Sequence, residues 1–565
     1  MSITNGHDAS TATQVALDLV LAEAGATTRE RFLPGREAIR LGVGLARRPK
    51  VAARRGVDLG REIASVLAGS SERQPARGDR RFSEPAWTSN WALRRLMQGY
   101  LAVGEAVDGF ISDAALEWAD DRKLRFVGQN LVDALAPTNF ALTNPEVLKA
   151  AIDTGGSNFV AGARQLARDV RQSPRLPRNV DETKFKVGEN LALSPGAVVM
   201  RNEALELIQY RPVTPEVRQT PLLIVPPMIN KFYITDLAPG KSLIEYLVAQ
   251  GQQVFAISWR NPTADHRHWG LDEYAAGVLE ALDAIERISG SERTHLVGNC
   301  AGGLLAASVS GHLAATDRLD RIASLTLGVC VIDNERSNVV NAMASRRSIG
   351  AATLASARKG YLDGADLASM FLWLRPNDLI WPYVVNNWLL GKEPPAFDIL
   401  YWNADTTRLP AALHRDFMAI AGENRLREPG GVSLLDTPVD LSAVTTDSYL
   451  VAGVADHITP WENSYRTTQL LGGEKRFVLS NSGHIAAIVN PPTNKRATFR
   501  TAGTCAPADP EEWMRQSVPH EGSWWLDWNG WLAERDAGPR RAPRRMGSRT
   551  YPILGSAPGE YAHER

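Results

Sequence analysis

The organisation of the chain can be worked out from one stretch, His295-Leu296-Val297-Gly298-Asn299-Cys300-Ala301-Gly302-Gly303-Leu304. A short apolar run at 294–297 predicts a buried strand, and the Ala-, Leu- and Gly-rich run that follows predicts a helix. Gly298 and Gly302 bracket Cys300 in a Gly-x-Cys-x-Gly pattern, which is typical of a nucleophile on a sharp turn between strand and helix. Side chains at the two glycines would collide with the crossing backbone. The pattern therefore predicts a cysteine nucleophile at the edge of a sheet.

Strands and helices alternate on both sides of this turn. Strands are predicted at 197–200, 205–210, 222–225, 253–258, 324–332, 448–454 and 476–480, with helices at 242–250 and 271–288 between them. Alternation of this kind indicates an α/β fold with a mostly parallel sheet. The strand that precedes Cys300 is then an interior strand.

Two further residues follow predicted strands and complete a catalytic arrangement. Asp456 comes directly after the strand at 449–454, and His484 follows the strand at 477–480. The chain order Cys300, Asp456, His484 is the nucleophile–acid–histidine order of α/β-hydrolases. The alternative roles are a buried inert thiol for Cys300, a turn residue for Asp456 and a loop residue for His484. The coincidence of all three residues at strand ends argues against these alternatives. We therefore predict an α/β-hydrolase fold with this triad.

Such a triad needs N–H donors for a developing oxyanion. One is expected from Ala301, directly after the nucleophile, and a second from the loop that follows the strand at 222–225. The two prolines of that loop lack an N–H group, so Ile229 and Asn230 are the candidates. His457 is a further candidate to line the site. No spaced His, Cys and carboxylate cluster is present, so no metal is predicted.

Length and composition bound the remaining possibilities. The chain has 565 residues, three cysteines, and 63 basic against 63 acidic residues. Zero net charge does not indicate a nucleic-acid binder, and three cysteines do not form a disulfide framework. Neither a signal peptide nor an apolar run near the ~20 residues of a membrane span is apparent. We expect a cytoplasmic protein without a transmembrane segment.

The domain plan predicted from these patterns has three parts. A mostly helical region over 1–185 precedes a catalytic domain over 186–540, with a cap inserted at about 333–441, and an extended tail follows over 541–565. The Trp-rich segment 513–531 predicts a closing helix.

Two segments of this plan leave their roles open. The basic stretch at 29–61 is either an amphipathic helix for an anionic or lipidic surface or a solvated helix face. The cap aromatics either line an apolar channel or form the cap's own core; they are Trp373, Trp381, Tyr383, Trp388, Tyr401 and Trp402.

A thiol in place of a serine hydroxyl favours acyl transfer over hydrolysis. Transfer from an acyl thioester to Cys300 exchanges one thioester for another of similar energy, and the bound acyl group stays activated for attack by a hydroxyl group. His484, oriented by Asp456, would accept the thiol proton. Ester synthesis from an acyl-CoA is the expected chemistry, with no cofactor beyond the CoA that the substrate releases.

Several long motifs resemble those of the polyhydroxyalkanoate (PHA) synthases, over nearly the whole chain. The matching segments are LIQYRP at 207–212, VPP at 225–227, INKF at 229–232, SWRNP at 258–262, LRPNDLIW at 374–381, FDILYWN at 397–403, DHITPW at 456–461 and SGHI at 482–485. The ending APGEYAHER at 557–565 is similar to the class II branch, which is associated with medium-chain units. Arg375, in the LRPNDLIW motif at 374–381, is a substrate-binding candidate.

The resemblance implies a function and a setting. It implies polymerisation of (R)-3-hydroxyacyl-CoA through the Cys300–Asp456–His484 triad, a homodimer, and residence at the surface of polyester granules. It also ties the N-terminal region to granule or phasin contacts. The rival functions are a thioesterase or polyester depolymerase on the same fold and a catalytically silent granule-coat protein. The preferred monomer length, the gating of the cap and the protomer that acts during elongation are left open.

Overall fold

One large mixed sheet forms the centre of the molecule. The computed structural model describes residues 35–172, 174–334, 346–456, 458–503, 505 and 507–565. In chain order the strands of this sheet are β1 (Gly196–Arg201), β2 (Leu205–Tyr210), β3 (Leu222–Val225), β4 (Val254–Trp259), β5 (Thr294–Asn299), β6 (Ile322–Gly328), β7 (Ser448–Gly453), β8 (Lys475–Ser480), β9 (Thr498–Thr501), β10 (Val518–Glu521) and β11 (Gly555–Ser556).

The strand order is β10-β9-β8-β7-β6-β5-β3-β4-β2-β1-β11. The inner strands from β8 to β4 run parallel, and the outer strands at both edges are antiparallel. The predicted α/β fold with a mostly parallel central sheet is confirmed. The strand that carries the nucleophile candidate, β5, is an interior strand, as expected.

The inner strands are buried on both faces, because apolar side chains alternate between two cores. In β3, Leu223 and Val225 point into one core, while Leu222 and Ile224 point into the other. Successive side chains of a strand lie on opposite faces, so a continuous apolar run predicts a strand covered on both sides. Helices supply the cover, and the carboxyl ends of the parallel strands are left as the edge for a site.

A helical region precedes the sheet. Its helices are α1 (Arg36–Arg47), α2 (Pro49–Ala68), α3 (Ala86–Ser89), α4 (Trp91–Asp113), α5 (Trp118–Ala134), α6 (Pro145–Asp153) and α7 (Ser157–Asp169). Asn90 starts α4, because its side chain accepts the N–H groups of Ala92 and Leu93. Of the basic stretch, residues 29–34 lie outside the described part, and Arg40 and Arg55 pair with carboxylates of α5 and α4. Its role at a surface stays a prediction.

The remaining helices surround the sheet or build the cap. They are α8 (Leu243–Ala249), α9 (Leu271–Ser289), α10 (Ala301–Ala315), α11 (Arg346–Lys359), α12 (Gly364–Leu374), α13 (Pro376–Leu379), α14 (Trp381–Tyr383), α15 (Asp398–Ala404), α16 (Ala411–Gly422), α17 (Trp461–Thr467), α18 (His484–Ile488), α19 (Pro510–Gln516) and α20 (Trp524–Ala533). Within the described residues, none of the helices is both long and apolar enough to span a bilayer.

The described residues between β6 and β7, 329–334 and 346–447, include many helices and fall where the cap is predicted. Tyr401 and Trp402 are buried in the same core as α20, which fits the core interpretation for these two aromatics. Trp388 lies in a π-helical turn, Val384–Leu389, and its indole N–H donates to Asp169 of α7 at 2.9 Å. The cap therefore contacts both the sheet domain and the N-terminal helices.

The prediction of one closing helix over 513–531 is wrong. Two helices, α19 and α20, are separated by strand β10, which pairs with β9. Pro519 and Gly522, the latter with φ 94°, interrupt the helical path. Trp513 packs in one core and Trp524 in the other. The tryptophans whose spacing suggested one helix therefore belong to two different helices.

The segment 541–565, predicted as an extended tail, is attached to the sheet. Its strand β11 pairs with β1 through Ser556 and Ala197, and becomes the last strand at that edge. Tyr561 is buried, at 3% exposure, and its hydroxyl donates to the Asn202 carbonyl oxygen at 2.7 Å. The tail is therefore a packed part of the catalytic domain.

Candidate active site

Cys300 lies on the sharp turn between β5 and α10. Its backbone has φ 50° and ψ −123°, a conformation that strains a residue with a Cβ by about 1–3 kcal/mol. Its N–H donates to the carbonyl oxygen of Gly328 at 2.8 Å, which holds the turn against β6. A Cβ at Gly298 would lie 2.5 Å from the Gly302 carbonyl oxygen, and one at Gly302 would overlap the carbonyl of Val225. The glycines on both sides of Cys300 are therefore required sterically.

Asp456 and His484 lie at the same edge of the sheet. Asp456 follows β7, and His484 begins α18 directly after β8. His484 Nδ1 lies 2.7 Å from Asp456 Oδ2. Because an ionised carboxylate only accepts hydrogen bonds, the Nδ1–H group donates, and Nε2 remains for the Cys300 thiol. The structure thus brings together the three residues predicted from their chain order.

Asp456 is held by more partners than His484. Its Oδ1 accepts the backbone N–H groups of Ile458 and Thr459 at 2.8 and 2.9 Å. Its Oδ2 also accepts the Thr459 hydroxyl group at 2.6 Å. Burial alone would raise the pKa of the Asp456 carboxyl, but the charge and hydrogen bond of His484 and the donors of Thr459 lower it below its ordinary value. The carboxylate is therefore ionised and fixed in orientation.

The imidazole of His484 has raised basicity. Burial alone would lower its pKa, but the charge of Asp456, its hydrogen bond and the hydrogen bond to Cys300 together raise the pKa to about 10. His484 is only 7% exposed, so water competes little for its hydrogen bonds. A histidine in this setting is a strong proton acceptor for the neighbouring sulfur.

The thiol lies in an apolar environment. Val329, Ala487 and Ile488 form a buried cluster with Cys300. Val329 has φ 44°, which is rare for a β-branched residue and is maintained only by the surrounding structure. Its N–H donates to the Val451 carbonyl oxygen at 2.7 Å. These side chains exclude water from one side of the sulfur.

The loop that carries two of the predicted oxyanion donors begins against the thiol turn, where a Cβ at Gly302 would overlap the Val225 and Pro226 carbonyl groups. Ala301 is the first residue of α10, where an N–H group has no partner within the helix. Its N–H, and those of Met228 and Ile229, donate to no residue in the described part of the chain. Asn230 instead forms an isolated antiparallel bridge with Thr406 of the cap. Of the two predicted loop residues, Ile229 is therefore the one that keeps an N–H group available for an oxyanion, and Met228 is a candidate that the sequence did not single out.

Of the other two predicted residues, only Arg375 is described, and it is not brought into this arrangement. Arg375 is exposed at the C-terminal end of α12 and pairs with Asp378, its Nη2 lying 2.5 Å from Oδ2. His457 lies outside the described residues. In the described part of the chain, no group of three or more His, Cys, Asp and Glu side chains could hold a metal ion.

Sequence reasoning did not identify Thr459. Its hydroxyl group lies 3.1 Å from His484 Nδ1 in addition to its bond with Asp456. The only signal was for the turn itself, since an Asp at a strand end commonly accepts the backbone N–H two residues on, as Asp456 accepts that of Ile458. The signal does not show that the hydroxyl group faces the histidine.

The sheet order and the edge at which Cys300, Asp456 and His484 meet define the class of the protein, the α/β-hydrolase fold. Residues 221–491 match the family model described as alpha/beta hydrolase fold. Residues 78–247 match a second model, described as the N-terminus of poly-beta-hydroxybutyrate polymerase.

Curated relatives extend this match over most of the chain. Poly(3-hydroxyalkanoate) polymerase 2 of Ectopseudomonas oleovorans is 47% identical over 92% of this chain and 92% of its own length. Polymerase 1 of the same organism is 45% identical over 92% of both. The polymerase subunit PhaC of Cupriavidus necator is 37% identical over 88% of this chain and 85% of its own. The chain belongs to the poly(3-hydroxyalkanoate) polymerase family, the PHA synthases.

Proposed function

We propose that this chain joins (R)-3-hydroxyacyl-CoA units into a polyester and releases CoA, through an acyl thioester on Cys300. The observation that carries the proposal is the position of Cys300 on the strained turn beside the His484–Asp456 pair. The likeness to polymerases over 92% of the chain supports the reaction. A cysteine, in place of the serine usual in hydrolases of this fold, supports acyl transfer.

The first half-reaction loads the enzyme. His484 Nε2 accepts the thiol proton, and Cys300 Sγ attacks the carbonyl carbon of the substrate thioester. The N–H of Ala301 and an N–H of the loop 226–231 hold the oxyanion. The C–S bond to CoA then breaks, and the leaving sulfur takes the proton from His484. Asp456 stabilises the imidazolium while it carries that proton.

The second half-reaction forms the ester. The 3-hydroxyl group of another unit, or of the growing chain, attacks the carbonyl carbon of the Cys300 thioester as His484 accepts the hydroxyl proton. The bond to Cys300 breaks, and the proton returns to the sulfur. The step is downhill because an oxygen ester replaces a thioester. Only a thioester and a hydroxyl group are consumed, so the proposed chemistry needs no cofactor.

The setting proposed for this reaction is the surface of the polyester granule, in the cytoplasm. A water-insoluble product and a growing chain held at Cys300 favour an enzyme that stays at the surface of its product. Exposed apolar side chains of the N-terminal helical region support a contact there with polyester or with a phasin, among them Leu142 in the turn before α6 at 85% and Ile152 of α6 at 81% exposure. We propose a homodimer on the family resemblance. Chain-length preference is proposed as medium-chain, on the resemblance to the class II branch.

The experiment measures CoA release from (R)-3-hydroxyacyl-CoA substrates of several chain lengths, with the product sized in parallel. Cys300→Ala should abolish both CoA release and high-mass polyester. Cys505→Ala is the matched control, because Cys505 is equally buried, at 7% exposure, and lies outside the triad. Release of CoA with only free hydroxy acid would instead indicate a thioesterase. No release from the wild type would leave a granule-coat role.

A further inference from the structure

Lys231 is a buried lysine at the end of the loop 226–231. Its side chain is 3% exposed, and its Nζ donates to the carbonyl oxygens of Tyr561 and Glu564 at 2.9 and 2.6 Å. Both acceptors belong to the last part of the tail, residues 559–565, which is called the tail segment from here on. A loop residue two positions after an oxyanion-donor candidate, Ile229, is thus held by main-chain groups more than 300 residues away.

The same loop is fixed on two other sides. The carbonyl oxygen of Lys231 accepts the indole N–H of Trp402 in the cap at 2.8 Å. At its start, the loop lies directly against the first turn of α10, where Gly302 leaves no space for a Cβ beside Val225 and Pro226. The loop therefore lies between the nucleophile helix, the cap and the tail segment.

The tail segment has its own anchors on the sheet. Tyr561 N–H donates to Glu206 Oε2 at 3.0 Å, and the Arg260 guanidinium lies 4.3 Å from the centre of the Tyr561 ring. The backbone N–H of Asn261 donates to Glu564 Oε2 at 2.9 Å. The two carbonyl oxygens that face Lys231 are therefore held at a defined distance from β2 and β4.

The burial of Lys231 makes its contacts obligatory. An ammonium group removed from water must have hydrogen-bond acceptors, and leaving it without them is costly. Burial lowers the pKa of Lys231, while the nearby carboxylates of Asp405 and Glu564 oppose that shift. If the tail segment moved away, Lys231 would have to turn toward water and take the loop with it.

We propose that Lys231 is a positioning residue for acyl transfer: its bonds to the tail segment hold the loop 226–231 at the distance from Cys300 that an oxyanion donor requires. The inference rests on the proposed function, because the loop matters only if its N–H groups serve the oxyanion. Lys231 itself touches no reacting atom. Its effect should appear in the turnover number and not in substrate affinity.

The first test is Lys231→Met, which keeps the apolar stem and removes the ammonium. Misplacing one oxyanion donor should lower kcat for CoA release by about 10–100-fold, with KM within about twofold of the wild type. Lys186→Met is the matched control, because the Lys186 side chain is exposed and pairs with the exposed Glu189 three residues later. Circular dichroism and gel filtration check that each variant is folded. A folded Lys231→Met enzyme with wild-type kcat would overturn the inference.

A second variant acts from the tail side and does not touch Lys231. At Gly559, with φ 84°, a Cβ would overlap Glu206 Oε2, so Gly559→Ala should displace the tail segment and lower kcat in the same way. Gly522→Ala is its control, because Gly522 has φ 94° and open space around it. The double variant with Lys231→Met should be no slower than the slower single variant, since both remove one contact.

The outcomes separate this inference from the proposed function. If Lys231→Met does not fold, an unchanged kcat in Gly559→Ala overturns the inference on its own. A raised KM, and so a lower kcat/KM, with unchanged kcat in either variant also contradicts it. If the wild type releases CoA without making polymer, the proposed function fails, but the effect of both variants on CoA release can still be measured.

Discussion

At the scale of single residues, Thr459 connects the acid to the histidine. Its hydroxyl group donates to the Asp456 oxygen that also faces His484. Thr459→Val removes this donor and keeps the shape, and both backbone donors to Asp456 remain. We expect kcat for CoA release to fall by about 10–150-fold, the equivalent of about 1.5–3 kcal/mol for one hydrogen bond to a charged group.

Thr459→Ser retains the hydroxyl group and should keep kcat close to that of the wild type. KM should be unchanged in both variants, because Thr459 orients the acid and does not contact substrate. A Thr459→Val enzyme as active as Thr459→Ser would show that the two backbone N–H groups orient Asp456 without the hydroxyl.

The sequence was sufficient for residues whose role follows from chain order and strand ends. Cys300, Asp456 and His484 are of this kind, because parallel strands bring their carboxyl ends to one edge wherever they lie in the chain. Thr459 and Lys231 are different, since their roles depend on where a side chain points. Arg375 was chosen for its motif, and its pairing with Asp378 at an exposed helix end could not be derived from the motif alone.

At the scale of elements, α10 can lie close to the start of the loop 226–231 because Gly302 has no side chain. Gly302→Ala would push its new Cβ into the Val225 and Pro226 backbone. We expect loss of at least about 10-fold in kcat, because sub-ångström displacement of oxyanion donors is enough to weaken them. The measurement is steady-state CoA release together with thermal unfolding.

Gly530→Ala is the control for this prediction. Gly530 lies within α20 with open space around it, so alanine there should stabilise the helix by roughly 0.5–1 kcal/mol and leave kcat unchanged. Wild-type kcat in Gly302→Ala would mean that the loop can move away without loss of catalysis.

Elements whose apolar residues follow one clear pattern could be predicted from the sequence. Elements that form only by pairing with a distant strand could not. The apolar runs of β3 and β5 identify buried strands from their composition alone. The segment 513–531 has helical tryptophan spacing, but pairing with β9 turns four of its residues into β10. Strand β11 has only two residues and depends entirely on β1 for its existence, so no local signal predicts it.

At the scale of the whole molecule, the N-terminal helices and the cap are joined through Asp169. Its buried carboxylate accepts the Trp388 indole N–H at 2.9 Å and pairs with Arg178 at 3.1 Å. Asp169→Ala leaves both donors without their partner, which should destabilise the protein by about 2–4 kcal/mol. The check is urea unfolding, combined with limited proteolysis of the cap.

Asp153→Ala is the control, because Asp153 is exposed at the end of α6. We expect cleavage within 376–392 to become faster in Asp169→Ala and to stay unchanged in Asp153→Ala. Equal cleavage rates would mean that the cap keeps its place without the N-terminal helices.

The pairing of the tail with the first strand has a consequence for biosynthesis. Tyr561 contacts Glu206 across 355 residues of sequence, so the ribosome must make nearly the whole catalytic domain before this contact can form. During that interval the outer edge of β1 is open and Lys231 lacks its acceptors. An exposed strand edge is a site of unwanted association between nascent chains. Chaperone demand should therefore end, and activity begin, only when the last residues of the tail leave the exit tunnel.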